Sequence, residues 1–239
     1  MRLLKINIRR AAKWLAVLIL LLLCLPPIQV GLAAWRNPSF NPMQWQRTME
    51  ARRASRALAA TPQGWTPLDQ IPVEFIHFVW ASEDQNYFTH RGFDFAQMKQ
   101  SVEEAKKKQK AVRGSSTITM QCARSVFLWQ QRSYVRKALE AYYTFWMETL
   151  LSKRRILELY LNNIELGPGI YGIGAAAQFY FHCTPRELTR DQMIALAAIL
   201  PNPLKWSPVH PDDTVQKKIR RIERLARQAP FPRERLSGK

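Results

Sequence analysis

Residues 133–151 read SYVRKALEAYYTFWMETLL, and in this stretch Val135, Leu139, Tyr142, Trp146 and Leu150 recur at steps of four, three, four and four. That spacing predicts an α-helix over Ser133 to Leu151 with one apolar stripe turned to the core. Lys137, Glu140 and Thr144 fall together on another face, so Glu140 has a cation one turn before it. An ordinary helical ion pair accounts for that pairing as readily as a functional site does.

Outward from this helix the pattern stays helical. Lys153-Arg154-Arg155 precedes a second helix through Leu161, with Ile156, Leu157 and Tyr160 on its apolar side. Gly167-Pro168-Gly169-Ile170-Tyr171-Gly172-Ile173-Gly174 then opens onto Ala175-Ala176-Ala177. Such a loop could cradle phosphate or serve close helix packing; no suitably flanked strand precedes it, which excludes a dinucleotide fingerprint. Thr184 to Glu187 and Thr189 to Gln192 fit the capping-box pattern, the second opening an apolar helix, Met193 to Leu200, halted by Pro201-Asn202-Pro203. On the other side, Gly114-Ser115-Ser116-Thr117 reads as a turn before a helix, whose free amides would offer an anion site. The segment from Phe93 to Gln109 is amphipathic and runs into Lys106, Lys107, Lys108, Lys110 and Arg113, a solvated face that could also touch anionic lipid headgroups. Strand signals are few, so the fold class is mainly α.

Ser82 to Asp94 is chemically the densest stretch, holding Glu83, Asp84, His90, Arg91, Gly92 and Asp94. It follows the apolar run Phe75, Ile76, Phe78, Val79 and Trp80, in a helix opened by Pro72. A carboxylate entering from such a run is partly desolvated, which raises its pKa toward neutrality and suits it to proton transfer. A helix end followed by a polar turn is the plainer alternative.

The 239-residue chain has a formal charge of +18, which favours an anionic partner such as an acidic membrane surface, a phosphorylated substrate or nucleic acid. Arg2, Lys5, Arg9, Arg10 and Lys13 precede a charge-free stretch from Trp14 to Trp35. That stretch exceeds the roughly 20 residues needed to cross a bilayer as helix, and the cations place the N-terminus in the cytoplasm. A cleavable signal peptide competes, with small residues at Gly31 and Ala33, but the stretch is longer than a normal signal core. Pro26-Pro27 predicts a kink or a shorter apolar core. The expected organisation is a cytoplasmic N-terminus (1–13), a transmembrane anchor (14–35), a connector (36–70) with a helix starting at Asn41-Pro42, one main domain (71–210), and a basic C-terminal helix and tail (211–239) carrying no legible motif. Cys24, Cys122 and Cys183 make no disulfide framework; a Cys122–Cys183 bridge is conceivable, two free thiols are the plainer reading, and no Cys/His spacing suggests zinc.

Taken in order, the motifs resemble a known family. Glu83-Asp84-x-x-Tyr87-Phe88 with His90 and Gly92, Gly114-Ser115-Ser116-Thr117-Ile118-Thr119-x-Gln121, Arg136-Lys137-x-x-Glu140, Lys153-x-x-Ile156-Leu157-Glu158-x-Tyr160-Leu161-Asn162, and Gly172-x-Gly174-Ala175-Ala176-Ala177-x-x-Tyr180-Phe181 are similar to the motifs of the peptidoglycan glycosyltransferases, in that family's order. They span essentially the whole globular part. Neither a Ser-x-x-Lys nor a Lys-Thr-Gly is present for transpeptidation, so the resemblance is to the monofunctional, singly anchored branch.

The resemblance implies a lysozyme-like helical lobe with a smaller membrane-associated lobe, in the bacterial inner membrane with its catalytic domain in the periplasm. It implies polymerisation of lipid II: the acceptor 4-hydroxyl displaces undecaprenyl diphosphate from the lipid-linked glycan, with inversion. Glu83 would be the general base, and Glu140 a second acidic residue that positions the donor or holds Mg2+ or Mn2+ near its diphosphate; no organic cofactor is implied. Arg113, Arg124, Arg132, Lys137 and Lys153, with Ser115, Ser116 and Thr117, would face the leaving diphosphate. Gln121 would bond sugar or phosphate, while Asp84, His90, Gly92, Gly114 and Asn162 would shape the motifs. Partners implied are lipid II, lipid-linked glycan, the membrane and other cell-wall synthesis or division proteins, with no nucleic acid. Two departures stand out: Met120 where the family has Gln, and Arg124 where Lys is commoner. Met120 cannot make amide hydrogen bonds, so either that position is secondary or activity is reduced. Two rival readings are a lytic enzyme that cleaves glycan, which leaves the cations unexplained, and a non-catalytic anchored partner protein.

Overall fold

The structure, a computed structural model, describes residues 8–54, 64–109, 116–131 and 133–236. Among them the chain forms ten α-helices and one two-stranded antiparallel sheet. Helix α1 (Ile8–Trp35) contains Pro26 and Pro27 without being split by them. Its stretch Arg10–Trp35 has a mean hydropathy of 2.5 and is long and apolar enough to cross a membrane. Most of its side chains are exposed; the buried ones, Pro26, Val30 and Ala33, lie in its C-terminal half, where it meets the rest of the chain.

Asn41 caps α2 (Pro42–Arg53), accepting hydrogen bonds from the amides of Met43 and Gln44. Residues 55–63 of the connector lie outside the described residues. Helix α3 (Val73–Glu83) runs past Trp80 by three residues and ends on Asp84. Its apolar run is buried, with Phe75, Ile76, Phe78 and Val79 all at 0–1% exposure. Asp94 caps α4 (Phe95–Lys108), Thr117 caps α5 (Ile118–Phe127), Ser133 caps α6 (Tyr134–Leu150) and Ser152 caps α7 (Lys153–Asn163). Each cap side chain accepts an amide hydrogen that the first helical turn cannot satisfy internally. Strands β1 (Glu165–Gly167) and β2 (Ile170–Tyr171) form a short hairpin that feeds α8 (Gly172–Phe181). Gly172 sits at φ +78, and a Cβ there would lie 2.5 Å from the Asn162 carbonyl oxygen, so the hairpin-to-helix turn requires glycine. Thr189 and Gln192 form a capping box on α9 (Arg190–Ile199), and Asp212 caps α10 (Asp213–Gln228).

Helix α5 packs against α6 and α7, and α3 packs against α9 and α10. Leu157, Leu159, Leu161, Ile118, Leu196 and Ile199 lie in one continuous core. Each such side chain, fully buried, contributes about 1.5–3 kcal/mol. Cys24, Cys122 and Cys183 are free thiols.

Two expectations need correction. The apolar stripe of α6 faces the core only in its middle: Leu139 and Trp146 are half-buried and pack against the core, Val135 is 67% and Leu150 43% exposed, and the fully buried face is Arg136, Glu140, Tyr143, Thr144 and Met147. The stripe side lies toward α1, where the Tyr142 hydroxyl donates to the Leu23 carbonyl (2.8 Å). Two amides at the start of α5 are also taken within the chain and not offered to an external anion: Ile118 N–H donates to Asp84 Oδ2 (2.9 Å) and Met120 N–H to Thr117 Oγ1 (3.2 Å).

Candidate active site

The turn after α3 is closed by its own side chains. Asp84, 2% exposed, accepts from His90 Nε2 at 3.0 Å as well as from Ile118. His90 Nδ1 accepts from the Gly92 amide (3.1 Å), which assigns the ring proton to Nε2. The Gly92 carbonyl accepts from Thr117 Oγ1 (2.6 Å), and Asp94 accepts from Asn86 (2.7 Å) and from the Gln97 amide (2.8 Å). Gly92 lies at φ +83 and a Cβ would meet Thr144 Cγ2 at 2.7 Å, so the turn is pressed against α6. Asp84, His90, Gly92 and Asp94 thus form one scaffold.

That scaffold leaves Glu83 at the end of α3, half-buried. Gln121 Nε2 donates to Glu83 Oε2 (2.9 Å) and to the Ser116 carbonyl (3.3 Å), and Gln121 Oε1 accepts from the Tyr160 hydroxyl (2.9 Å). Tyr160 therefore fixes which way the Gln121 amide points. Removal from water pushes the Glu83 carboxyl above its ordinary range. The Gln121 bond and the charges of Lys218 and Arg124 pull it partly back, and Asp84 pushes it up.

On α6, Glu140 is 0% exposed, with one oxygen bonded to Arg136 Nη1 and the other to Lys137 Nζ. Lys137 also donates to Ser116 Oγ (3.3 Å), joining the second and third motifs. The expected option of a divalent cation on Glu140 does not fit this arrangement. Both oxygens are taken by cations, and among the described residues no three His, Cys, Asp or Glu side chains converge. Glu140 instead holds two positive charges in place.

Beside Glu83 lies a cleft of 330 Å³ lined by Gln121, Arg124, Ser125, Arg136 and Tyr160, by Met43 and Arg47 of α2, by Glu165, and by the 200–204 loop. Arg136 Nε is buried there with no hydrogen-bond partner among the described residues. Arg47 pairs with Glu165 (3.3 Å), whose carboxyl is raised by burial and partly lowered again by Arg47. Nothing in the local sequence around Arg47 or Glu165 marks them; the connector helix α2 brings Arg47 to the cleft wall.

Lys153 stands apart. It pairs with Glu148 (2.8 Å), lies 4.4 Å from the centre of the Tyr87 ring, and has its ammonium lowered by burial. Met120, at 3% exposure, is buried and does not line the cleft. Asn162 ties the chain at Thr66 to α7, accepting from its amide (2.7 Å) and donating to its carbonyl (2.9 Å). Arg113, Gly114, Ser115 and Arg132 lie outside the described residues.

A carboxylate lifted toward neutrality beside a cation-lined cleft is suited to taking a proton from a hydroxyl while an anion departs, which is the work of a glycosyltransferase acting on sugar phosphates. Residues 47–228 match the family model described as Transglycosylase. Relatives described as biosynthetic peptidoglycan transglycosylase include one from Caulobacter vibrioides, 41% identical over 87% of each chain. Another, from Shewanella oneidensis, is 38% identical over 93% of this chain and 94% of its own. A third, from Stutzerimonas stutzeri, is 37% identical over 90% and 88%. The chain belongs to the transglycosylase family and is a peptidoglycan glycosyltransferase.

Proposed function

We propose that the protein polymerises lipid II into glycan strands. The observation that carries this reading is the placement of Glu83, half-buried and held by Gln121, next to a cleft lined by Arg47, Arg124 and Arg136. Glu83 takes the proton of the acceptor's 4-hydroxyl as that oxygen bonds to C1 of the donor sugar. The C1–oxygen bond to the diphosphate breaks on the opposite face, its electron pair leaving with undecaprenyl diphosphate. Configuration inverts and no covalent enzyme intermediate forms. Arg124, Arg136 and Lys137 offset the charge that develops on the diphosphate.

The apolar helix α1 anchors the domain in the bacterial inner membrane, with Arg9, Arg10 and Lys13 on the cytoplasmic side and the cleft in the periplasm.

Incubation with labelled lipid II tests the reading. Chain growth is expected from the full-length protein and none from Glu83→Gln, which should still bind lipid II. Cleavage of finished glycan with no growth would instead establish the lytic alternative, and near-normal turnover by Glu83→Gln would remove the base assignment.

A further inference from the structure

Helix α10 carries a cation where its own pattern calls for an apolar side chain. Its inward face is set by Val215, Ile222 and Ala226, all buried. Lys218 lies on that face, three residues after Val215 and four before Ile222. Lys217, Arg220, Arg224 and Arg227 of the same helix are exposed, whereas Lys218 is half-buried. Its ammonium lies 5.4 Å from the centre of the Trp206 ring. It borders a cavity of 30 Å³ shared with Ser82, Glu83, Pro201 and Arg221, room for about one water molecule. Pro201 also lines the larger cleft, so the two spaces share a wall there. Burying an ammonium is costly unless an opposite charge compensates, and the carboxylate facing this cavity is Glu83.

We propose that Lys218 is a positioning residue for glycosyl transfer: across this small cavity its ammonium, with Arg221 at the rim, holds Glu83 in the ionised form that can accept a proton. The proposal rests on Glu83 being the base. The other groups facing Glu83 are Asp84 from its own turn, which opposes ionisation, Arg124 from α5, which favours it, and Tyr160 from α7, a phenol that reaches it through Gln121. The coupling is mutual: burial pulls the Lys218 ammonium below its ordinary value, Glu83 pulls it back up, and the neighbouring Arg221 charge lowers it further. Desolvation favours a protonated, inactive Glu83; the C-terminal helix opposes it.

The test is the pH dependence of kcat/KM on lipid II for full-length wild type, Lys218→Gln, Lys218→Arg and Arg221→Gln. Alongside it, the Glu83 carboxyl is titrated by infrared difference against Glu83→Gln. Lys218→Gln should move the acid limb to higher pH, losing about tenfold more activity than wild type at its acid end for each unit of displacement, and should converge on wild type in alkali. Lys218→Arg should restore the wild-type profile. Arg221→Gln, altered only at the exposed rim, should shift the limb the same way by less, which keeps the test open if Lys218→Gln fails to fold. A rate lowered by one factor at every pH, or an unmoved Glu83 titration, would overturn the proposal. Full turnover by Glu83→Gln would overturn the base assignment instead, and the infrared titration would still read whether Lys218 acts on Glu83.

Discussion

Glu83 is a residue whose environment works against its ionised form, and that has two measurable consequences. Its raised carboxyl means that kcat/KM should fall on the acid side through a value above the ordinary carboxylate range, seen in a pH–rate profile. Stability should run the opposite way. The folded chain binds this proton more tightly than the unfolded chain, so ionisation costs stability, a penalty that sets in as pH rises through 4.5 and is complete above the folded value. Glu83→Gln removes the penalty, so the variant should be inactive yet at least as resistant to thermal unfolding as wild type at neutral pH. The density of polar residues around Glu83 singled it out in the sequence. Tyr160, Lys218 and Arg47 were not assigned a part in the site there, because each meets it through the tertiary fold; Tyr160 meets Gln121 across 39 residues of chain.

Among elements, the capped helices were the most legible, since an N-cap is a local event in which one side chain answers amides two or three residues on. Asn41, Thr117, Ser133 and Thr189 all open helices where their sequence context suggests. Asp94 allows a direct measurement. Its Asp94→Ala variant should lose about 1 kcal/mol at neutral pH in urea unfolding. The Gln97 amide and the Asn86 side chain help hold the Asp94 carboxyl below its ordinary 3.8. Its contribution is therefore fully present above that value and lost as pH falls through the folded one, so the gap between variant and wild type should close in strong acid. Helix α6 shows the limit of periodicity. Its stripe meets the core at Leu139 and Trp146 but not at its ends, Val135 and Leu150, because what a face meets is decided partly by α1, which lies over a hundred residues earlier in the chain.

Across the whole molecule, the apolar helix α1 is fastened to the domain at several points. Arg155 donates to the carbonyls of Ala33 (2.9 Å) and Arg36 (3.1 Å) and to the Asn37 side chain (2.8 Å), while also pairing with Glu158 (2.7 Å). Tyr143 donates to Gln29, and Tyr142 to Leu23. Charge-assisted hydrogen bonds of this kind contribute about 1.5–3 kcal/mol each, so Arg155→Ala should lower the Tm of the full-length protein, with the loss read by thermal unfolding in detergent. In the core, Leu157→Ala should cost about 2–5 kcal/mol in the same assay.

The fastening of α1 also bears on how substrate is found. A domain on a loose tether would tumble above the bilayer and present its cleft in every direction. With α1 in the bilayer as proposed, a domain splinted to it keeps one height and tilt, leaving lateral drift and spin about the membrane normal as its main freedoms. Its encounters with a lipid-borne substrate then become a search in a plane, in which each collision meets the cleft from the same side.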